Sequence, residues 1–217
     1  MEQNYDKIIE HNIKAYLDQE MRESELNIQV RSKDGYVTLS GFVDVLAEKN
    51  AAEELAFRVE GVKKIENCLT ISTDGTFTDK EAEAEVISKF KGNPELTPVS
   101  VKVNRGVAVL EGRVPTLRVK NLAIHQASKA LGVKDVVSHI TIDSLNKIDD
   151  VTINNNLYQK FSQHNMKDSD IVVDVNNGSV LLSGYVDSMH QMEAALEIAE
   201  GVEGVRNVKN NLEIRIE

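Results

Sequence analysis

Tryptophan is absent from the 217 residues, aromatic side chains amount to 5%, and cysteine occurs once, at Cys68. With so few large rings, any core must be assembled from the Val, Ile, Leu and Ala that dominate a 41% apolar composition. A single thiol excludes an intrachain disulfide framework and fits a reducing compartment. No run approaches the roughly 18 apolar residues of a membrane span. The opening MEQNYDKIIEHNIKAYL also lacks a basic segment followed by an apolar one. If Met1 is the native start, the expected compartment is the cytoplasm. If a signal peptide has been removed, it is the periplasm or envelope.

Positive charge is scarce as well: 25 Lys and Arg stand against 35 Asp and Glu, a net charge of -10. This argues against non-specific nucleic-acid binding, which needs cations to displace counterions from phosphates. It argues equally against general adhesion to anionic membranes. The balance is uneven along the chain. Residues 1–75 carry 9 basic and 15 acidic side chains, residues 76–144 carry 10 and 8, and residues 145–217 carry 6 and 12. Only the middle third suits an anionic ligand.

What the sequence does have is a repeat. Gly35-Tyr36-Val37-Thr38-Leu39-Ser40-Gly41 aligns with Gly106-Val107-Ala108-Val109-Leu110-Glu111-Gly112 and Gly178-Ser179-Val180-Leu181-Leu182-Ser183-Gly184. Val43, Val114 and Val186 follow, and twenty residues after the second glycine come Gly61-Val62, Gly132-Val133 and Gly204-Val205. Ile65, Val136 and Val208 correspond, as do Leu69, Ile140 and Leu212, and Ile71, Ile142 and Ile214, with no gap. Self-similarity of this kind marks one supersecondary unit used three times.

Periodicity supplies the elements. Ile8, Ile9, Ile13 and Leu17 fall at helical spacing, as do Val86 and Phe90, and Ile153, Leu157 and Phe161. Thr78-Asp79-Lys80-Glu81 has the form of a capping box, and Asn4 and Asp149 or Asp150 are simpler caps. Ile28 and Val30, Val99 to Val103, and Ile171 to Val175 alternate with polar residues as strands do. Turns at Lys33-Asp34-Gly35, Asn104-Arg105-Gly106 and Asn176-Asn177-Gly178 lead into a second strand. Gly41, Gly112 and Gly184 lie on that strand, and we expect close packing of the following helix across them. That Ala-rich helix is predicted near 46–59, 117–130 and 189–202, stopped by Gly61, Gly132 and Gly204 in the left-handed conformation. The predicted class is α+β: three tandem α-β-β-α-β modules, each a three-stranded mixed sheet with two helices on one face. The boundaries expected are 1–75, 76–146 and 147–217.

The pattern G-x-V-x-L-x-G-x-V, then an Ala-rich helix, a Gly-Val pair and an alternating strand, resembles the BON domain. Residues 4–72, 78–143 and 149–216 fit it, nearly the whole chain. The second copy departs most, with Ala108 for the first valine, Glu111 for the serine, and Pro115 after the strand. The resemblance implies a non-catalytic bacterial module of envelope and osmotic-stress proteins that binds phospholipid surfaces or partner proteins. Relatives that carry the module beside other domains in the cytoplasm are linked to potassium.

Residues that carry chemistry are few. His11, His125, His139, His164 and His190 occupy different repeat positions without metal-ligand spacing, and we expect surface positions. Cys68 should face away from the helices. Gly201-Val202-Glu203-Gly204 imitates a nucleic-acid-binding G-x-x-G loop but lacks flanking basic residues. No phosphate loop or nucleophile elbow is present, so neither an enzyme nor a cofactor is expected. Two features point to binding. Tyr36, Phe42, Val107, Val109, Leu181 and Tyr185 fall on the side of the second strand that two helices would leave bare. Arg105, Arg113, Arg118 and Lys120 lie at the hairpin tip, strand end and helix start of the middle copy, suited to lipid phosphate or to docking against its acidic neighbours. Phe77, Leu145 and Ile148 in the linkers are expected to be partly buried between modules. The leading expectation is a stress-related binding or scaffold protein without a transmembrane segment. The alternative is a soluble osmotic-stress protein that binds K⁺ or Ca²⁺.

Overall fold

A computed structural model describes residues 2–21, 28–72, 77–143, 148–164, 166 and 170–215. The elements run α1 (Glu2–Glu20), β1 (Ile28–Lys33), β2 (Tyr36–Val43), α2 (Leu46–Phe57) and β3 (Lys64–Ile71) in the first repeat. The second has α3 (Asp79–Phe90), β4 (Val99–Asn104), β5 (Val107–Val114), α4 (Leu117–Ser128) and β6 (Asp135–Ile142), with a short 3₁₀ turn at Pro94–Leu96. The third has α5 (Asp150–Gln163), β7 (Asp170–Asn176), β8 (Ser179–Val186), α6 (Met189–Glu200) and β9 (Asn207–Ile214). The fold is α+β, three α-β-β-α-β modules. Contact density divides the chain into two compact units through the middle repeat: residues 1–92, 101–109 and 125–137, and residues 93–100, 110–124 and 138–217.

Each sheet has three strands, in the orders β1-β2-β3, β4-β5-β6 and β7-β8-β9. In the first, β1 pairs antiparallel with β2 and β2 pairs parallel with β3; the third repeats this with β7, β8 and β9. Both helices of the first repeat bury their apolar stripes on one sheet face. Ile9, Ile13 and Leu17 of α1, four residues apart, meet Val37, Leu39 and Val43 of β2 and Ala52 and Ala56 of α2. In the third repeat the same places hold Ile153, Leu157 and Phe161, Val180, Leu182 and Val186, and Ala195 and Ala199. The paired alanines are fully buried, so α2 and α6 ride close to the sheet without a side chain to hold them off. Ile8 does not join this stripe. It is exposed, one position off the face that Ile9 and Ile13 define.

The capping box is present: the Thr78 hydroxyl accepts from the Glu81 N–H, and Glu81 accepts from the Thr78 N–H. Asp149 caps α5 by accepting from the Thr152 N–H. Asn4 is not a cap, because α1 begins two residues earlier, at Glu2.

Two glycine readings are corrected. Gly112 and Gly184 do sit against foreign backbone, but it belongs to the start of the neighbouring strand or the residue just before it, and not to the helix. A Cβ on Gly112 would stand 2.4 Å from the Pro98 carbonyl oxygen, and one on Gly184 would stand 1.9 Å from that of Asp170. The Gly-Val glycines do not end the helices either. The helices stop at Phe57, Ser128 and Glu200, after which short turn hydrogen bonds such as Val59 N–H to Ala56 O take over. Gly61, Gly132 and Gly204 come later at φ +89°, +81° and +91°, where the chain turns into the last strand. A side chain from the start of each repeat covers them: Tyr5 over Gly61, Phe77 over Gly132, and Ile148 with Ile153 over Gly204. Phe77 and Ile148 therefore serve the repeat that follows each linker. Leu145 lies outside the described residues.

Candidate interaction faces

The cross-strand register fixes what the bare face of each sheet carries. On the first sheet, Lys33, Tyr36 and Lys64 form one row, Arg31, Thr38 and Glu66 the next, and Gln29, Ser40 and Cys68 a third. Phe42 and Thr70 complete it. Tyr36 and Phe42 are each 58% exposed, high for rings on a sheet. Cys68 is a free, exposed thiol on this same face. On the third sheet the outward rows are Asn176, Ser179 and Asn207; Asp174, Leu181 and Lys209; Val172, Ser183 and Asn211; and Asp170, Tyr185 and Glu213. Val172 and Tyr185 are exposed, and Leu181 is half-buried. In the middle repeat Val107 and Val109 are half-buried, alternating with the fully buried Ala108 and Leu110. Sequence reasoning missed Val172, which pairs with Ser183 one row from Tyr185 on the same face, although alternation with the inward Ile171 and Val173 already placed it on the outward side of β7.

The four cations of the middle repeat occupy separate settings. Arg105 is in the turn that precedes β5 and Arg113 is near that strand's end. The Arg113 guanidinium stands 3.3 Å from the Asp143 carboxylate, and that of Arg118 stands 2.6 Å from Glu95. Both partners come from the same repeat. Lys120 lies one turn into α4, half-buried. Arg118 also lines an open cleft of about 320 Å³ with Lys160, His164, Ala194, Glu197 and Gly201. Among the described residues, no group of three or more His, Cys, Asp or Glu is placed to hold a metal ion. His139 approaches Glu111 at 4.0 Å, both well exposed. Partial desolvation, aided by Lys129, lowers the pKa of His125, while Glu54 acts in the opposite sense.

A carboxylate clamp recurs in all three repeats. One aspartate near the start of each first helix accepts from both central N–H groups of the β-hairpin turn. Asp6 takes those of Asp34 and Gly35 at 2.9 and 3.1 Å, and Asp79 takes those of Arg105 and Gly106, both at 2.9 Å. Asp150 takes those of Asn177 and Gly178 at 2.7 and 2.9 Å. The turn residues have positive φ at both positions, the two-residue form suited to the twist of a hairpin. The Ser32 hydroxyl and the turn N–H groups hold Asp6 below the ordinary carboxylate pKa, and the turn N–H groups do the same for Asp79. One helical turn further on, Glu10 accepts from the Ser32 N–H and Glu83 from the Val103 N–H. The corresponding residue of the third repeat is Asn154, whose Oδ1 is buried without a hydrogen-bond partner. These contacts span 20 to 29 residues, so no local motif announces them.

The clamp, hairpin and bare sheet thus recur as one unit, and comparison with known proteins gives that unit a family. The BON domain matches three times, at residues 5–73, 78–144 and 149–216. The chain belongs to the BON domain family. It is 39% identical over 77 residues to the osmotically-inducible protein Y of Escherichia coli strain K12, a match covering 33% of this chain and 38% of that one. An uncharacterized protein in the gshII 5′ region of Anaplasma centrale is 25% identical over 123 residues, covering 54% of this chain and 82% of its own. The chain therefore spans well under half of the first relative's length. Among solved structures, CdsD, a structural protein of the type III secretion system of Chlamydia trachomatis, aligns over 94% of this chain and 91% of its own at 17% identity. Its TM-score of 0.28 is too low to bear on the arrangement of this BON chain. No helix among the described residues is long and apolar enough to cross a membrane.

Proposed function

We propose that this BON chain is a non-catalytic binding scaffold of the osmotic-stress response, engaging a partner protein or a phospholipid surface through its bare sheet faces. The observation that carries this is the exposure of Tyr36, Phe42 and Tyr185 on sheet faces that no helix covers. Large rings left in water are surface that a partner removes from it, at about 25 cal/mol per Å² buried. The likeness to an osmotically-inducible protein supports the stress setting.

A photoreactive residue placed at Phe42 or Tyr185 in cells under osmotic upshift should give covalent adducts to a protein or a phospholipid. The same residue at Ser88, exposed on α3, should not. Adducts confined to Ser88 would refute the assignment. The acidic first and third repeats motivate a competing role in cation binding, and calorimetric titration of the intact chain with K⁺ and Ca²⁺ separates the two.

A further inference from the structure

The first and third sheet faces are alike in having exposed rings and unlike in charge. Outward positions of β1, β2 and β3 carry three cations, Arg31, Lys33 and Lys64, against one carboxylate, Glu66. The exposed Tyr36 lies between two lysine positions in its row. This basic face is built into a repeat whose own balance is strongly acidic, so its sign is not a by-product of composition. On the third sheet the outward positions carry Asp170, Asp174 and Glu213 against Lys209, and Arg215, just past β9, is bonded to Asp170. Val172, Leu181 and Tyr185 supply the apolar surface there, as Tyr36 and Phe42 do on the first.

We propose that the first sheet face of one molecule docks on the third sheet face of a second copy of this chain. This deepens the scaffold reading and rests on the sheet faces being docking surfaces. Pairing two first faces would oppose like charges, which complementary interfaces avoid. The favoured contact joins unlike patches, so a pair retains one unused face of each kind, the third on one molecule and the first on the other, and association continues head to tail. Size sets the strength. Strands of eight residues rising about 3.3 Å each, in sheets of three spaced about 4.8 Å apart, give a face on the order of 400 Å². A standard stable interface covers about 800 Å² per partner, so the contact is weak and reversible.

Sedimentation velocity of the full chain tests this. The weight-average sedimentation coefficient should rise with concentration up to about 0.5 mM protein in about 20 mM salt, and the rise should vanish in about 0.5 M salt. Lys33→Glu with Lys64→Glu makes both faces acidic, and Asp174→Lys with Glu213→Lys makes both basic. Each double variant alone should sediment as a monomer with unchanged circular dichroism, and an equimolar mixture should regain concentration-dependent association. A wild-type chain monomeric throughout, a saturating dimer, or a mixture that stays monomeric would overturn the proposal. Persisting adducts at Phe42 or Tyr185 in that event would leave the scaffold reading standing with a different occupant.

Discussion

Arg105 has φ +51°, a conformation that an arginine side chain disfavours, whereas its counterparts Asp34 and Asn177 belong to the types that tolerate it. Its backbone N–H is held by Asp79, but nothing in that bond needs arginine. Arg105→Asn should raise unfolding stability by about 0.5–1 kcal/mol in a urea titration, leaving the hairpin intact. The third repeat offers a second gain. Asn154→Glu places a carboxylate where Glu10 and Glu83 accept a strand N–H, and should add about 0.5–1.5 kcal/mol by the same measurement. Acid should act in the opposite direction. Because hydrogen bonds hold the folded-state pKa of Asp6 and Asp79 below the unfolded value, their stabilisation is complete above about pH 4 and fades as pH falls through the lowered values. Circular dichroism should show melting temperature dropping over that acid window, and the double variant Asp6→Asn with Asp79→Asn should show a flatter drop from a lower start.

At the scale of the element, the glycines divide sharply. Ala at Gly184 would need its Cβ 1.9 Å from a carbonyl oxygen at φ +105°, and at Gly112 2.4 Å from one at φ +155°. Each substitution should cost about 2–3 kcal/mol, the larger loss at Gly184. Gly92→Ala, with nothing within 4 Å, should be neutral or add up to about 0.5 kcal/mol. Denaturant midpoints of the three variants check the ordering. The even spacing of glycines made the repeat legible, and Thr78-Asp79-Lys80-Glu81 made the capping box legible because it is encoded within four residues. The partner of a strand glycine was not, since Pro98 and Asp170 lie 14 residues away across a strand pair whose register a sequence does not state. Alternation alone placed Tyr36, Phe42 and Tyr185 on the outward side of their strands but passed over Val172. The occupants of Arg113 and Arg118 were not, because Asp143 and Glu95 reach them only after the chain has folded back.

For the whole molecule, the question is whether three repeats mean three independent folding units. The core of the third repeat answers for one junction. Leu117, the first residue of α4 in the second repeat, is 8% exposed and belongs to the cluster of Ile153, Leu157 and Leu182, with Ile142 of β6 and Ile148 packed against it. A methyl-rich side chain in that position contributes about 1.5–3 kcal/mol of burial, and the cluster it joins is otherwise built from third-repeat residues. In a strictly modular chain, truncating a residue outside residues 149–216 would leave the third repeat untouched. Here Leu117→Ala should destabilise the third repeat by about 2 kcal/mol, the lower end of the range for core leucines because this one sits at the edge of the cluster. Native-state hydrogen exchange is the measurement, since it reads each repeat separately. Protection should fall in β7 and β8 while β1 and β2 of the first repeat keep theirs. Loss confined to α4 would show instead that the second and third repeats fold as separate bodies.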